Sequence, residues 1–204
     1  MQIEKFFPVH LATTDIPTDM LAKSKSIAET YIESKKWKQQ RHFGRTITSY
    51  FSDTTVNYAG HFDPKLAQYI NLSAREYMNY VGFDPDADLR IETWLNLNLP
   101  DTHHSKHEHF GCFMSGVLWL STPENSGNFT IFDPVSPRAQ NNVQYSFARM
   151  PNNEYNRNIH SIVPAEGKLI MFPGWLQHQV ESNESNSTRI SIAFNIWMTQ
   201  NGTN

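Results

Sequence analysis

Four of the nine histidines, His103, His104, His107 and His109, fall within seven residues, and His178 follows a Pro-Gly turn far down the chain. Imidazole nitrogens suit divalent transition metals, so a cluster of this kind asks first for an ion. His107 and His109 are two residues apart. On a β-strand that spacing turns both rings to one face and Glu108 to the other, so the pair can reach a single ion. His178 completes a set of three. It follows Lys168-Leu-Ile-Met-Phe-Pro-Gly-Trp-Leu-Gln177, where a buried strand runs into a turn and delivers the first side chain of the next strand. Three ligands on one face of an ion leave positions open for small molecules. If the strand is distorted at this point, Glu108 and not His109 becomes the second ligand. His103 and His104 sit before the pair in what reads as a loop, as surface or substrate-facing groups. His10, His42, His61 and His160 have no supporting context.

Eleven residues beyond His178, Arg189 opens the last long strand. Alternation along that strand puts Ile190, Ile192, Phe194 and Ile196 on one face and Arg189, Ser191, Ala193 and Asn195 on the other. An arginine and a serine therefore point together toward the side that holds His178. A planar guanidinium clamps a carboxylate with two parallel hydrogen bonds, and a hydroxyl adds another. Trp94, Trp119 and Phe172 would give such a cavity partly apolar walls.

The elements that must hold these groups follow from periodicity. Two helices are predicted in the N-terminal half. The first runs from Thr18 to about Lys36, with Leu21, Ile27, Ala28, Tyr31 and Ile32 at helical spacing and Thr18 or Asp15 as its cap. The second runs from Asp63 to about Val81, with Asp63-Pro64 to start it and Gly82 to end it. After Asp88 the period becomes two. Ile91–Leu99 alternates an apolar face (Ile91, Thr93, Leu95, Leu97, Leu99) with a face of Glu92, Trp94, Asn96 and Asn98. Further strands are predicted at Ser115–Ser121, Asn128–Phe132, Gln144–Ala148, His160–Pro164, Lys168–Phe172, Gln177–Glu181 and Arg189–Met198, separated by Pro, Gly and Asn clusters. About eight strands after two helices predict a mainly β protein, a jelly roll or barrel buttressed by N-terminal helices.

At 204 residues the chain suits one domain, with 1–88 as helical support and 89–200 as the β core. A net charge of −3 gives no footprint for nucleic acid or an anionic membrane, so the expected partner is a small molecule or a peptide. Cys112 is the single cysteine. It rules out an intramolecular disulfide and fits a reducing, cytoplasmic setting. No segment has the apolar length that crosses a bilayer. The stretch Asp133–Asn158, with Arg138, Arg149, Tyr155 and Arg157, is long enough to close over a site.

Taken in order, Trp94-Leu-Asn-Leu-Asn98, His107-Glu-His109, Ser115-Gly-Val-Leu-Trp-Leu120, Phe132-Asp-Pro134, Gly167-Lys-Leu-Ile-Met-Phe-Pro-Gly-Trp-Leu-Gln-His178 and Arg189-Ile-Ser-Ile-Ala-Phe-Asn195 resemble the iron(II)/2-oxoglutarate oxygenases, in particular a little-characterised subgroup of bacteria and marine phages. The resemblance covers about Trp94 to Trp197. It implies a double-stranded β-helix, iron(II) held by His107, His109 and His178, and 2-oxoglutarate held at its distal carboxylate by Arg189 with Ser191. Trp119 stands where related enzymes often place a tyrosine that touches the cosubstrate, and Asn96 or Asn98 would supply a polar contact. The implied activity is hydroxylation of a C–H bond with release of succinate and carbon dioxide. Most of the wider superfamily uses His-x-Asp or His-x-Glu. Here a neutral imidazole replaces the carboxylate, which leaves the metal site one unit more positive. Two other readings fit parts of the pattern. Three histidines can hold zinc that activates water, which needs no arginine-serine pair. A non-enzymatic jelly roll would have a filled interior and no metal.

Overall fold

The computed structural model describes residues 1–4, 7–34, 44–50, 63–135, 140–141, 143–148, 151 and 156–199. His42, His61, Arg138, Arg149, Tyr155 and the expected end of the first helix at Lys36 lie outside the described residues. Helix α1 spans Thr18–Ser34 and α2 spans Pro64–Tyr80. Asp63 caps α2 by accepting from the backbone N–H of Lys65 at 3.1 Å, Pro64 needs no partner for its nitrogen, and Gly82 at φ +86° follows the C-cap. The Lys23 ammonium bonds the same Asp63 carboxylate at 3.1 Å and ties the two helices together. Asp15 is not the cap of α1, because it belongs to a strand and faces Lys168 across a ladder.

Ten strands are present among the described residues: β1 Ala12–Asp15, β2 Ile47–Thr48, β3 Asp88–Asn98, β4 His104–His107, β5 Met114–Ser121, β6 Phe129–Phe132, β7 Ile159–Ile162, β8 Lys168–Pro173, β9 His178–Val180 and β10 Arg189–Thr199. They form a six-stranded sheet in the order β1-β8-β5-β10-β3-β2 and a four-stranded sheet in the order β4-β9-β6-β7, antiparallel throughout the named pairs. The protein is mainly β, with the jelly-roll arrangement that the strand pattern predicts. The N-terminal segment is more than helical support, since β1 and β2 form the two edges of the large sheet.

The large sheet separates two environments. On one face Leu95, Leu97, Met114, Leu118, Ile192, Phe194 and Ile196 pack against Leu66, Ile70, Ala74 and Met78 of α2. On the other face the alternate residues of β3, β5 and β10 line a cavity closed from the opposite side by the small sheet. The polar set on β3 and β10 therefore points inward because its apolar neighbours are committed to the helices.

The strand expected at Gln144–Ala148 is not one. Ser146–Ala148 forms a short 3-10 helix, with Ala148 N–H bonded to the Tyr145 carbonyl at 3.0 Å. Its alternating Val143, Tyr145 and Phe147 are exposed, so no sheet face rewards the extended form and local bonds satisfy the backbone instead. The stretch leaves β6 and returns on β7 as a long hairpin connection, closed at its base by Asp133 N–H to the Asn158 carbonyl at 2.9 Å.

Candidate functional site

His107, His109 and His178 converge on the wall of one cavity, with one nitrogen from each within 4.8 Å of the others. Cross-strand pairing of His107 with His178 brings the first and third together, and their ring centroids are 4.4 Å apart. His109 arrives by a different route from the one its spacing suggests. β4 is irregular between His104 and His107 and ends at His107, so the His-x-His pair does not sit on a continuous strand. His109 lies in the following turn, where its N–H donates to the Gly174 carbonyl at 2.9 Å and its own carbonyl accepts from Cys112. Glu108 is exposed and stands at the rim, outside the group that can share an ion.

The donor chemistry fits a metal. Nδ1 of His107 is 2.7 Å from the Ser105 carbonyl, and Nδ1 of His178 is 2.8 Å from the Leu176 carbonyl. A carbonyl only accepts, so each Nδ1 carries the proton and Nε2 keeps a free lone pair. Burial pushes all three rings down from the usual histidine range, His109 to about 4 with His107 adding repulsion, and His178 well below it. At neutral pH all three are uncharged imidazoles, the form in which histidine ligates a metal. Phe172 packs edge-on to His178 and Phe129 stacks on it, which fixes the ring plane.

Behind the histidines is a cavity of about 350 Å³. Arg189 is 1% exposed and lines it. Nη1 donates to the carbonyls of Ser126 at 2.6 Å and Gly127 at 2.9 Å, while Nη2 is buried without a partner among the described residues. Burial lowers the Arg189 pKa to about 10, partly offset by the Glu181 carboxylate. The guanidinium stays charged. Glu181 is itself held by Thr130 at 2.7 Å and by the Asn128 N–H. Asn96 Oδ1, on the cavity wall, is likewise buried and has no partner among the described residues. A buried cation and an amide with unused bonding capacity mark a polar ligand, since such groups are costly when left unsatisfied.

Ser191 and Trp119 line the same cavity and are cross-strand neighbours. Asn98 is there too, but its amide already donates to Thr46 Oγ1 at 3.0 Å. Trp94 and Phe172 form part of the wall, and Tyr50 packs edge-on to Trp94 at 4.9 Å. His104, placed in a loop by its sequence context, opens β4 and lines the same cavity as Arg189 and the histidine set. Burial drives its pKa down to about 3, with further repulsion from His107 and Arg189. Thr46 and Thr48, also on the wall, were missed with β2. The alternation in Thr46-Ile-Thr-Ser-Tyr50 is the signal that could have found them.

The sequence profile of a family described as 2OG-Fe(II) oxygenase matches residues 92–195, half of the chain. No curated protein matches the sequence. Among solved structures, a prolyl-4-hydroxylase of Pseudomonas putida superposes with TM-score 0.61 at 13% identity, covering 94% of both chains. The 2-oxoglutarate-dependent epimerase SnoN of nogalamycin biosynthesis gives TM-score 0.64 at 10% identity, over 93% of this chain and 78% of its own. HygX of Streptomyces hygroscopicus, solved with nickel and 2-oxoglutarate bound, gives 0.57 at 12%, over 94% and 84%. At these identities the likeness shows a shared fold. Among the described residues no helix is long and apolar enough to cross a membrane.

Proposed function

The chain belongs to the 2OG-Fe(II) oxygenase family, and on that premise we propose that it hydroxylates a C–H bond of a small-molecule or peptide substrate. Iron(II) is held by His107, His109 and His178, and 2-oxoglutarate is held by Arg189. The observation that carries this reading is the unpaired Nη2 of Arg189, buried in the same cavity as the three convergent imidazoles. A zinc site that activates water has no use for a buried cation behind it, and a structural jelly roll would fill the space.

Each residue has a task that follows from its position. Arg189 receives the distal carboxylate of 2-oxoglutarate on Nη2, with Nη1 locked to the loop carbonyls so that the fork does not rotate. Ser191 and the neutral ring of His104 add hydrogen bonds, while Asn96 and Trp119 border the cosubstrate; Asn98 acts indirectly by holding Thr46. Iron(II) held by the three histidines would supply, with 2-oxoglutarate and dioxygen, an oxidant for an unactivated C–H bond, with succinate and carbon dioxide released. Phe129, Phe172 and Trp94 exclude water from that oxidant.

Succinate formation by the iron-loaded protein, followed across a panel of amino acids, peptides and small metabolites, tests the activity. Turnover should require both iron(II) and 2-oxoglutarate. Activity that persists without 2-oxoglutarate in zinc-loaded protein would favour water activation. For the site, His178→Ala should remove most metal affinity, because two histidines alone do not close a facial set. Undiminished metal content in His107→Ala, His109→Ala and His178→Ala would overturn the ligand assignment.

A further inference from the structure

Two of the three histidines are oriented by the carbonyl two residues before them, Ser105 for His107 and Leu176 for His178. His109 has no such partner, because the chain has already left the strand and its backbone is committed to Gly174 and Cys112. Its Nδ1 meets the Asn195 amide at 3.2 Å instead. Asn195 belongs to β10 in the other sheet and is buried. Directly across the ladder is Ser115, also buried, whose Oγ bonds the Asn195 Oδ1 at 2.6 Å and lies 3.2 Å from Cys112 Sγ. A chain of polar groups thus runs from the buried thiol to His109.

We propose that Asn195 is the positioning residue of His109, its amide accepting the Nδ1 proton and so directing Nε2 to the metal. The inference rests on the reading of His107, His109 and His178 as ligands. In the orientation seen, Asn195 Nδ2 faces Nδ1, which suits a ring with its proton on Nε2. Ligation through Nε2 moves that proton to Nδ1, and two donors would then oppose each other. A half-turn of the amide removes the conflict. Oδ1 then accepts from Nδ1, Nδ2 donates to Ser115 Oγ, the serine hydroxyl turns to donate to Cys112 Sγ, and the thiol keeps its bond to the Met114 carbonyl. In both arrangements each link between His109, Asn195, Ser115 and Cys112 sets a donor against an acceptor, so the network can follow the metal. Where a carboxylate ligand needs no tautomer chosen for it, an imidazole does, and Asn195 supplies the choice.

The test uses cobalt(II) in place of iron, with affinity measured by chelator competition and exchangeable ring N–H protons followed by paramagnetic NMR. Wild-type protein should show three protected, hyperfine-shifted N–H signals. Asn195→Ala should weaken cobalt binding about 10–100-fold and lose one signal, whereas Asn195→Asp, which can only accept, should bind within tenfold of wild type and keep all three. Only two protected signals in wild type, unweakened binding by Asn195→Ala, or no rescue by Asn195→Asp would overturn the proposal. If Asn195→Ala does not fold, the wild-type spectrum and Asn195→Asp decide it alone. His178→Ala separates this failure from failure of the ligand set: loss of cobalt there with none in Asn195→Ala removes only the positioning role.

Discussion

Arg189 carries its charge where water cannot reach it, and half of its hydrogen-bonding fork is already spent on Ser126 and Gly127. In the reading proposed above, what remains is the donor for a carboxylate of 2-oxoglutarate. Arg189→Ala should therefore cost about 2–5 kcal/mol in 2-oxoglutarate binding, measured calorimetrically on nickel-loaded protein, with metal affinity little changed. Arg189→Lys should recover only part of it, since a point charge lacks the planar fork. The histidines set the acid limit. His104, with a pKa near 3, and His109, near 4, are lowered in the folded state, so between about pH 6.5 and those values the unfolded chain binds more protons than the folded one. Stability from these groups is complete above pH 6.5 and is lost as pH falls toward 3. The melting temperature of the metal-free protein should decline over that window, and His104→Gln should make the decline shallower.

At the scale of elements, the grip on Arg189 comes from the loop between β5 and β6. Gly127 has φ +82°, and a Cβ there would lie 2.5 Å from the carbonyl oxygens of Glu181 and Ser182. No side chain fits without moving the loop that presents its carbonyl to the guanidinium. Gly127→Ala should lower the melting temperature and weaken 2-oxoglutarate binding while leaving metal affinity close to wild type, because the three histidines stand on other elements. Equal loss of both would show that the loop supports the whole cavity. The two helices of the N-terminal half act further away. α2 packs on the face of the large sheet that turns away from the cavity, so it fixes β3, β5 and β10 and touches no ligand.

Across the whole molecule, the small sheet and the turn after it provide the histidines, and the large sheet provides Arg189 and Ser191. A metal with 2-oxoglutarate would join the two sheets. Bound at 100 times its dissociation constant, a ligand stabilises the folded state by about 2.7 kcal/mol, which for a domain of this size raises the melting temperature by roughly 5–10 °C. Nickel and 2-oxoglutarate together should give a larger shift than nickel alone in wild type, and the increment should vanish in Arg189→Ala. Much of this layout is written locally in the sequence. Period-two patterning in Ile91–Leu99 and Arg189–Met198 separates core-facing from cavity-facing residues, and that depends only on the alternation of strand side chains. Asp63-Pro64 and Gly82 mark α2 through bonds made within a few residues. Tertiary structure decided the rest. His107 and His109 converge although the strand between them breaks, because the pairing of His107 with His178 and the anchor of His109 on Gly174 replace the expected alternation. His104 enters the cavity because β4 pairs with β9, and Asn195 reaches His109 from the opposite sheet. Those are contacts between distant residues, and nothing in the local spacing of either partner encodes them.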